Sequence, residues 1–369
     1  MTALRQLFVD HGPMALTLSG LAIGFLFGAI IYRTNFCTMG SISDIVSFGD
    51  YRRFRAWVLA AATALLGAQV LQHLGVVELS RSMYLGPNLH WVGNIVGGLM
   101  FGYGMVFAGG CASRNLARVG GGDLRALLAL IILGIFAYMT MGGVFGPVRV
   151  WLEQASAIDM RELVPPSASQ GLDDVLGAHF ALTPEMATLA AVGLVALPAF
   201  LYCFMDARFR GSPVHVFSGI GVGLCVAAGW AATGLAFDEL ADRPMAPTSL
   251  TYVRPTGDTL EWLQRYTALG LPNFGVSTVF GAVLGAFCAA VLMGRFRITG
   301  FSDKKDTVRV LYGAALMGIG GVVALGCTVG QAVTGVSTLA IGSLLTFPSI
   351  VIGGFVGMKA FERLIMAEA

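Results

Sequence analysis

Three of the six cysteines lie where an apolar stretch gives way to glycine and small polar residues: Cys37, Cys111 and Cys327. Their surroundings read TNFCTMGS, GGCASRN and GCTVGQ. The other three, Cys203, Cys225 and Cys288, lie inside continuous apolar stretches and are interpreted as ordinary buried small residues. The sequence has no C-x-x-C pair and no His or Cys at metal-ligand spacing, so it predicts neither a disulfide scaffold nor a metal site.

A neutral thiol combines a weak S–H donor with a polarizable sulfur atom. This combination suits a large, polarizable anion, whereas a thiolate would repel one. Amide side chains near the three cysteines are candidate further donors: Asn35, Asn115 and Gln331. Arg114 and Arg118 stand one helical turn apart and form a candidate anion exit site. Their place at a predicted cytoplasmic boundary is, however, better explained by the general enrichment of positive charge there.

Composition indicates which elements hold these cysteines. Of the 369 residues, 56% are hydrophobic and only 12% are charged, too few to cover a soluble protein of this length. A bilayer core takes about 20 helical residues, and nine segments fit: 16–33, 54–74, 92–110, 124–145, 186–205, 214–234, 275–293, 308–326 and 338–360. We therefore predict an all-α, polytopic membrane protein with one membrane domain over 1–369. The net charge of +2 gives no reason to expect nucleic acid as a partner.

Breaks at membrane depth would leave backbone N–H and C=O groups unpaired in lipid. The three cysteines are therefore predicted to line a path enclosed by protein, beside short re-entrant half-helices. The positive ends of such half-helices favour an anion. No cofactor is expected.

Basic residues predict the orientation, because Lys and Arg favour the cytoplasmic side. With the N-terminus outside and the C-terminus inside, seven of the 23 fall outside: Arg5, Arg81, Arg149, Arg161, Arg243, Arg254 and Arg265. The other 16 then fall inside. Only Arg5 precedes the first apolar stretch, so we expect that stretch to stay as a helix in a bacterial inner membrane rather than to be a cleaved signal peptide.

Two polar segments, 146–185 and 235–274, are then predicted to lie outside. Their prolines indicate irregular chain: Pro165, Pro166, Pro244 and Pro247. Asp258 opens a run to Tyr266 with helical spacing of apolar residues, which predicts a short interfacial helix. An unstructured loop is the alternative.

The sequence also contains a candidate duplication. A shift of 216 residues aligns Gly97–Cys111 with Gly313–Cys327, and seven of the 15 positions match. An odd number of crossings separates the two segments, so the repeat is predicted to be inverted, with halves 16–145 and 214–360 and a linker helix at 186–205. Inverted repeats with interrupted helices are an architecture of transporters. Aligning the first helix with the sixth puts Ala232 opposite Cys37.

The chain resembles the YeeE/YedE family of sulfur-transport membrane proteins over nearly its whole length. The motifs that carry the resemblance are Gly24–Gly28, Asn35–Cys37, Phe107–Arg114, Gly326–Gln331 and Thr334–Thr338. The resemblance implies a transporter, not an enzyme, that takes up thiosulfate by way of one cysteine in each of three motifs. These cysteines would be Cys37, Cys111 and Cys327. The resemblance also implies a cytoplasmic sulfur-carrier partner of the TusA type.

Two kinds of alternative remain open. In the first, the protein is a transporter or a passive channel for another sulfur or selenium compound. In the second, it is an intramembrane thiol oxidoreductase. The oxidoreductase would need thiols close enough to exchange electrons through a disulfide. Moving a dianion inward against an inside-negative potential costs about 4.6 kcal/mol per 100 mV, at about 2.3 kcal/mol per charge. Uptake must therefore be coupled to an ion or pulled by consumption inside.

Overall fold

The computed structural model describes Phe8 and residues 12–165, 169–239, 245–301 and 303–368. In chain order the helices are α1 (Gly12–Thr34), α2 (Thr38–Phe48), α3 (Arg52–His73), α4 (Trp91–Phe107), α5 (Ala112–Gly120), α6 (Leu124–Met141), α7 (Gly146–Ser156), α8 (Met160–Leu163), α9 (Leu172–Phe180), α10 (Pro184–Phe204), α11 (Ala207–Arg210), α12 (Pro213–Leu235), α13 (Arg254–Leu269), α14 (Phe274–Leu292), α15 (Lys304–Val323) and α16 (Ile341–Glu368). A 3₁₀ turn covers Leu79–Arg81 and a π-helix covers Gly330–Gly335. Two short strands, β1 (Asn88–His90) and β2 (Ala157–Asp159), pair antiparallel.

The predicted all-α membrane architecture is confirmed. Nine helical segments of the described chain are long and apolar enough to cross a bilayer, and they contain α1, α3, α4, α6, α10, α12, α14, α15 and α16. Each falls on a predicted segment. The main difference is at the end, where α16 continues to Glu368 and its last turns are exposed. The protein is a multi-pass membrane protein.

Polar side chains define where several of these helices begin. The Asn273 side chain accepts a hydrogen bond from the Val276 N–H at 2.9 Å before α14. Asp123 does the same for α6, accepting from the Arg125 N–H at 3.0 Å. Such caps pair backbone donors that the first helical turn leaves free. They therefore hold the ends of long apolar helices at defined residues.

Glycine lets the long helices approach until their backbones touch. A Cβ added at Gly28 of α1 would collide with the Ala282 carbonyl of α14, and a Cβ added at Gly285 would collide with Phe25. Between α12 and α3, a Cβ at Gly223 would lie 2.7 Å from the Ala60 carbonyl oxygen. Close packing of this kind drives helix association in lipid, because the hydrophobic effect does not bring apolar helices together there.

The contact between α4 and α15 is reciprocal. Gly97 lies against Gly320 and Gly104 lies against Gly313, so the two helices run antiparallel. Other pairs follow the same relation: α1 contacts α14 while α3 contacts α12, and α4 contacts α16 while α6 contacts α15. A two-fold axis relating the chain before α10 to the chain after it would produce this pattern.

The polar segments contain more helix than the prolines suggested. The run from Asp258 to Tyr266 belongs to α13, which begins four residues earlier with Pro255 in its first turn and is kinked at Arg265. Segment 146–185 contains α7, α8 and α9. Pro165 lies in a turn, while Pro166 and Pro244 lie outside the described residues.

Ala232 does not stand at a break. It lies inside α12, and the C-cap Ala236 donates its N–H back to the Ala232 carbonyl. The chain leaves the helix only after Leu235, and the following helix α13 is preceded by Val253. Helix α2 packs on α3, and α13 packs on α14 in the same way. Val253 is the N-cap residue of α13, as Cys37 is the N-cap residue of α2.

Candidate functional site at three helix breaks

The three breaks share one construction. A long helix ends at or just before a residue with left-handed backbone: Asn35 (φ 54°), Gly109 (φ 72°) or Leu325 (φ 59°). A cysteine follows two residues later, and a short helix begins directly after it. Glycine and asparagine adopt this backbone readily, whereas leucine is strained there. The local sequence therefore turns the chain sharply at each cysteine.

Each cysteine begins a short helix. Cys37 is the N-cap of α2, and its sulfur accepts a hydrogen bond from the Gly40 N–H at 3.4 Å. The Cys327 sulfur accepts from the Gly330 N–H at 3.3 Å. Cys111 is the N-cap of α5, and its sulfur lies 3.3 Å from the Ser113 hydroxyl. Helix N-termini carry partial positive charge, so each sulfur lies where negative charge is favoured.

The structure brings the three cysteines together inside the protein. Their exposed fractions are 5% for Cys37, 0% for Cys111 and 0% for Cys327. Cys111 lies in the middle, close to the Cys37 thiol on one side and to Thr328 and Cys327 on the other. All three are free thiols. The cysteines thus form a series in the order Cys327, Cys111, Cys37.

A cavity of about 650 Å³ opens at one end of the bundle, where α1 and α14 begin. We call it the Met-lined cavity after Met83, Met141 and Met245. Its floor includes Gly326, the neighbour of Cys327. Soft, polarizable thioethers therefore line the approach to the first cysteine of the series.

A second cavity of about 320 Å³ lies at the other end, where α1 ends. It contains Cys37 and three arginines, Arg53, Arg114 and Arg118, and we call it the Arg-lined cavity. Arg53 and Arg118 are paired with carboxylates: Arg53 lies 3.2 Å from Asp44, and Arg118 lies 2.7 Å from Asp123.

Arg114 instead donates to the neutral Asn35 side chain at 2.9 Å. It has no carboxylate partner among the described residues. The Arg-lined cavity therefore presents net positive charge beside Cys37.

The predicted amides are engaged within the protein. Asn115 donates to the Gly110 carbonyl at 2.9 Å and accepts from Arg118 at 3.3 Å. Gln331 donates to the Ala324 carbonyl and accepts from the Ser343 hydroxyl at 2.6 Å. Asn115 and Gln331 each lie four residues after a break cysteine and tie the new helix to the end of the old one.

The other three cysteines lie apart from both cavities. Cys203 lies on α10 and donates to the Arg55 carbonyl at 3.2 Å. Cys225 is buried within α12 and Cys288 is half-buried within α14. None of them begins a helix.

Sequence reasoning missed the side chains that join the site from elsewhere in the chain. Tyr84 comes from the turn before β1 and is fully buried beside Gly330. The Tyr252 N–H, from the extended segment before α13, points at the Cys327 sulfur. Neither residue sits in a motif, and only a prediction of contacts between distant segments would have found them.

The sulphur transport family model matches residues 33–356. Thiosulfate transporter TsuA of Spirochaeta thermophila is 29% identical over 342 residues, which cover 91% of this chain and 96% of that protein. Thiosulfate transporter TsuA of Escherichia coli strain K12 is 26% identical over 334 residues, which cover 86% of each. The probable transporter YedE of Salmonella typhimurium is 32% identical over 108 residues, which cover 29% of this chain and 25% of that protein. Since the family match spans most of its length, this chain belongs to the sulphur transport family of membrane proteins.

Proposed function

We propose that this protein takes up thiosulfate along a path from the Met-lined cavity, past Cys327, Cys111 and Cys37, to the Arg-lined cavity. The observation that carries the proposal is the buried series of three thiols between cavities at opposite ends of the bundle. Two relatives that match most of the chain bear the name thiosulfate transporter, which supports the choice of substrate.

The chemistry of the path suits a soft dianion. Neutral thiols supply S–H donors without adding negative charge, and their sulfur atoms match the polarizable terminal sulfur of thiosulfate. Backbone N–H groups at the three short helices supply further positive character. Asn115 and Gln331 act as braces that hold these helices in position, because their amides are bonded inside the protein. Asn35 positions Arg114 for the anion at the path's end.

The direction of uptake follows from the proposed orientation, with the N-terminus outside and the C-terminus in the cytoplasm of a bacterium. The Arg-lined cavity then faces the cytoplasm and attracts the anion at its exit. A sulfur-carrier protein of the TusA type would consume the substrate there and offset the cost of inward movement. Reporter fusions at residue 165 and at the C-terminus test this, and a cytoplasmic signal at residue 165 would refute it.

The reciprocal packing of α4 on α15 supports our inference that the chain is an inverted duplication, with 16–145 and 214–360 as halves and 186–205 as linker. Under this inference the two cysteines at positions 111 and 327 are equivalents. Cys37 has no cysteine equivalent, since Val253 stands before α13.

Alanine substitution in proteoliposomes tests the path. Replacing Cys37, Cys111 or Cys327 by alanine should abolish or sharply reduce thiosulfate uptake. Alanine at Cys225 or Cys288 is the matched control and should leave uptake nearly unchanged, because these thiols contact neither cavity. Wild-type rates in all three break variants, with correct folding verified, would eliminate the relay.

Serine at the same positions separates hydrogen bonding from polarizability. It keeps the size and the donor but lacks a soft sulfur atom. We expect serine to fail at one or more of the three sites, because a hydroxyl matches the terminal sulfur poorly. Full activity of all three serine variants would show that donation alone is sufficient.

A panel of sulfur and selenium anions offered in competition tests the alternative cargo. The oxidoreductase alternative requires a disulfide in every cycle, for which the neighbouring Cys37 and Cys111 thiols are the candidate pair. Uptake that persists under constant reducing conditions would exclude it.

A further inference from the structure

Two buried hydroxyl groups beside Cys327, those of Tyr84 and Thr328, have no oxygen or nitrogen hydrogen-bond partner among the described residues. Tyr84 is 2% exposed and Thr328 is 0% exposed. Burying a hydroxyl without a hydrogen-bond partner destabilises the folded state. Native proteins rarely keep such groups without a use, so these two require an explanation.

Tyr84 points its hydroxyl at the start of the short helix behind Cys327. A Cβ built on Gly330 would lie 3.6 Å from that hydroxyl, and the Gly330 N–H is itself bonded to the Cys327 sulfur at 3.3 Å. The ring arrives from the turn before β1, at the end of the bundle that holds the Met-lined cavity. The phenol group therefore reaches the same place as the first thiol of the series.

Thr328 directly follows Cys327 in the chain. Its hydroxyl lies within hydrogen-bonding reach of the Cys111 thiol, the second thiol of the series. The Tyr252 N–H also points at the Cys327 sulfur. The surroundings of Cys327 thus hold two O–H groups without an oxygen or nitrogen partner, in addition to S–H and N–H donors.

We propose that Tyr84 and Thr328 form an oxygen-binding subsite at Cys327, which recognises the oxyanion end of a tetrahedral sulfur anion while the thiol contacts its terminal sulfur. This inference rests on the proposed function and adds to it the residues that bind the oxygen atoms of the substrate. Thiosulfate carries three hard oxygens and one soft sulfur, and a thiol alone matches only the sulfur. The two hydroxyls supply donors for the oxygens, and the substrate supplies the partners that the hydroxyls lack within the protein.

Removing these hydroxyls distinguishes a role in substrate binding from a role in the stability of the fold. An unpaired buried hydroxyl contributes no bond to the fold, so its loss should leave the ligand-free protein equally stable or more stable. A hydroxyl that binds the substrate should instead reduce affinity when it is removed. Affinity and stability therefore change in a combination that a merely structural group would not give.

The test measures thiosulfate uptake in proteoliposomes and unfolding temperature in detergent for Tyr84→Phe and Thr328→Val. We expect each variant to raise the KM for thiosulfate about tenfold, as for one lost hydrogen bond to a charged group. The unfolding temperature without ligand should stay the same or rise. Sulfate should also become a weaker competitor in both variants, because it retains the oxygens that the two hydroxyls bind.

Matched controls keep the chemistry and change the place. Tyr312→Phe removes an exposed phenol hydroxyl from α15, and Thr346→Val removes a buried hydroxyl bonded to the Gly342 carbonyl at 2.8 Å. Both should retain the wild-type KM. The inference alone is overturned if the wild type takes up thiosulfate and both site variants keep its KM, or if their KM changes only together with a loss of stability. A wild type that takes up no thiosulfate would overturn the proposed function, and this inference with it.

Discussion

At the scale of single residues, Arg114 differs from its two neighbours in the Arg-lined cavity. Arg53 and Arg118 have carboxylates nearby, so their charges are largely compensated. Arg114 is bonded to a neutral amide, and its positive charge remains for an anion. Under the proposed orientation, the general enrichment of basic residues at the cytoplasmic side explains the presence of an arginine here. The hydrogen bond to Asn35 explains where its guanidinium group points.

Replacing Arg114 by glutamine should therefore slow uptake by about tenfold and weaken its dependence on ionic strength, since a positive cavity attracts anions over a distance that salt shortens. Initial uptake rates at several salt concentrations check this. Arg33→Gln is the control, because Arg33 is exposed at the same end of the bundle but does not line the cavity. Equal rates in the two variants would contradict the prediction.

At the scale of elements, the break before Cys327 stores strain that the other two breaks avoid. Leu325 adopts a left-handed backbone at φ 59°, whereas Gly109 and Asn35 suit that conformation. Leu325 also lines the Met-lined cavity, which accounts for a side chain at this position. The leucine side chain therefore contributes to the cavity wall at the cost of local backbone strain.

Leu325→Gly should relieve about 1 kcal/mol of backbone strain and leave the unfolding temperature unchanged or raised, while altering uptake through the wider cavity. The comparison variant Val323→Gly, in the buried last turn of α15, should lower the unfolding temperature. Thermal unfolding in detergent measures both. A large loss of stability in Leu325→Gly would show that the leucine packs more than it strains.

Helices α6 and α13 are joined by the hydroxyl of one tyrosine. The Tyr138 hydroxyl lies 2.7 Å from both Asp258 and Glu261. The phenol donates to these two carboxyl groups of α13. Burial raises the pKa of Asp258, whereas the Tyr138 hydrogen bond lowers the pKa of Glu261.

Because the pKa of Asp258 is raised on folding, the folded state binds the proton of this carboxyl group more tightly than the unfolded chain does. Its contribution to stability is present at low pH and is lost as the pH rises through the raised pKa. Asp258→Asn should therefore remove part of the fall in unfolding temperature as the pH rises above the ordinary range of an aspartate. An identical pH dependence in variant and wild type would disprove the assignment.

The sequence was informative where structure is local. Glycine, asparagine and cysteine in short motifs predicted the breaks, and apolar length predicted the nine spans. The positions of Tyr84 and Val253 depend on packing between segments far apart in the chain, which no periodicity encodes. The amides of Asn115 and Gln331 were expected as substrate donors because their types were visible, but their hydrogen-bond partners became clear only with the fold.

At the scale of the whole molecule, glycine decides which helices can touch. Gly28 lies against the backbone of α14, where a methyl group has no room. Gly193 lies on the exposed side of α10 and has nothing within 4 Å of an added Cβ. One substitution, glycine to alanine, therefore has opposite consequences in the two helices.

Gly28→Ala should destabilise the protein by about 2 kcal/mol or more through overpacking. Gly193→Ala should be neutral or stabilise by up to about 1 kcal/mol, because alanine favours a helix. Unfolding temperatures in detergent compare the two directly. A tolerated Gly28→Ala would mean that α1 and α14 slide past each other easily.

The same glycine contacts limit the conformational changes that this protein can make. Each of the most tightly packed helix pairs joins a helix before α10 to a helix after it. Helices from the two parts of the chain therefore alternate within one bundle. Transporters that rock one rigid bundle against another need a seam along which the bundles part. This bundle has its backbones in contact where such a seam would run. We therefore expect a stationary frame through which the solute moves, with any gating confined to the few residues around each broken helix.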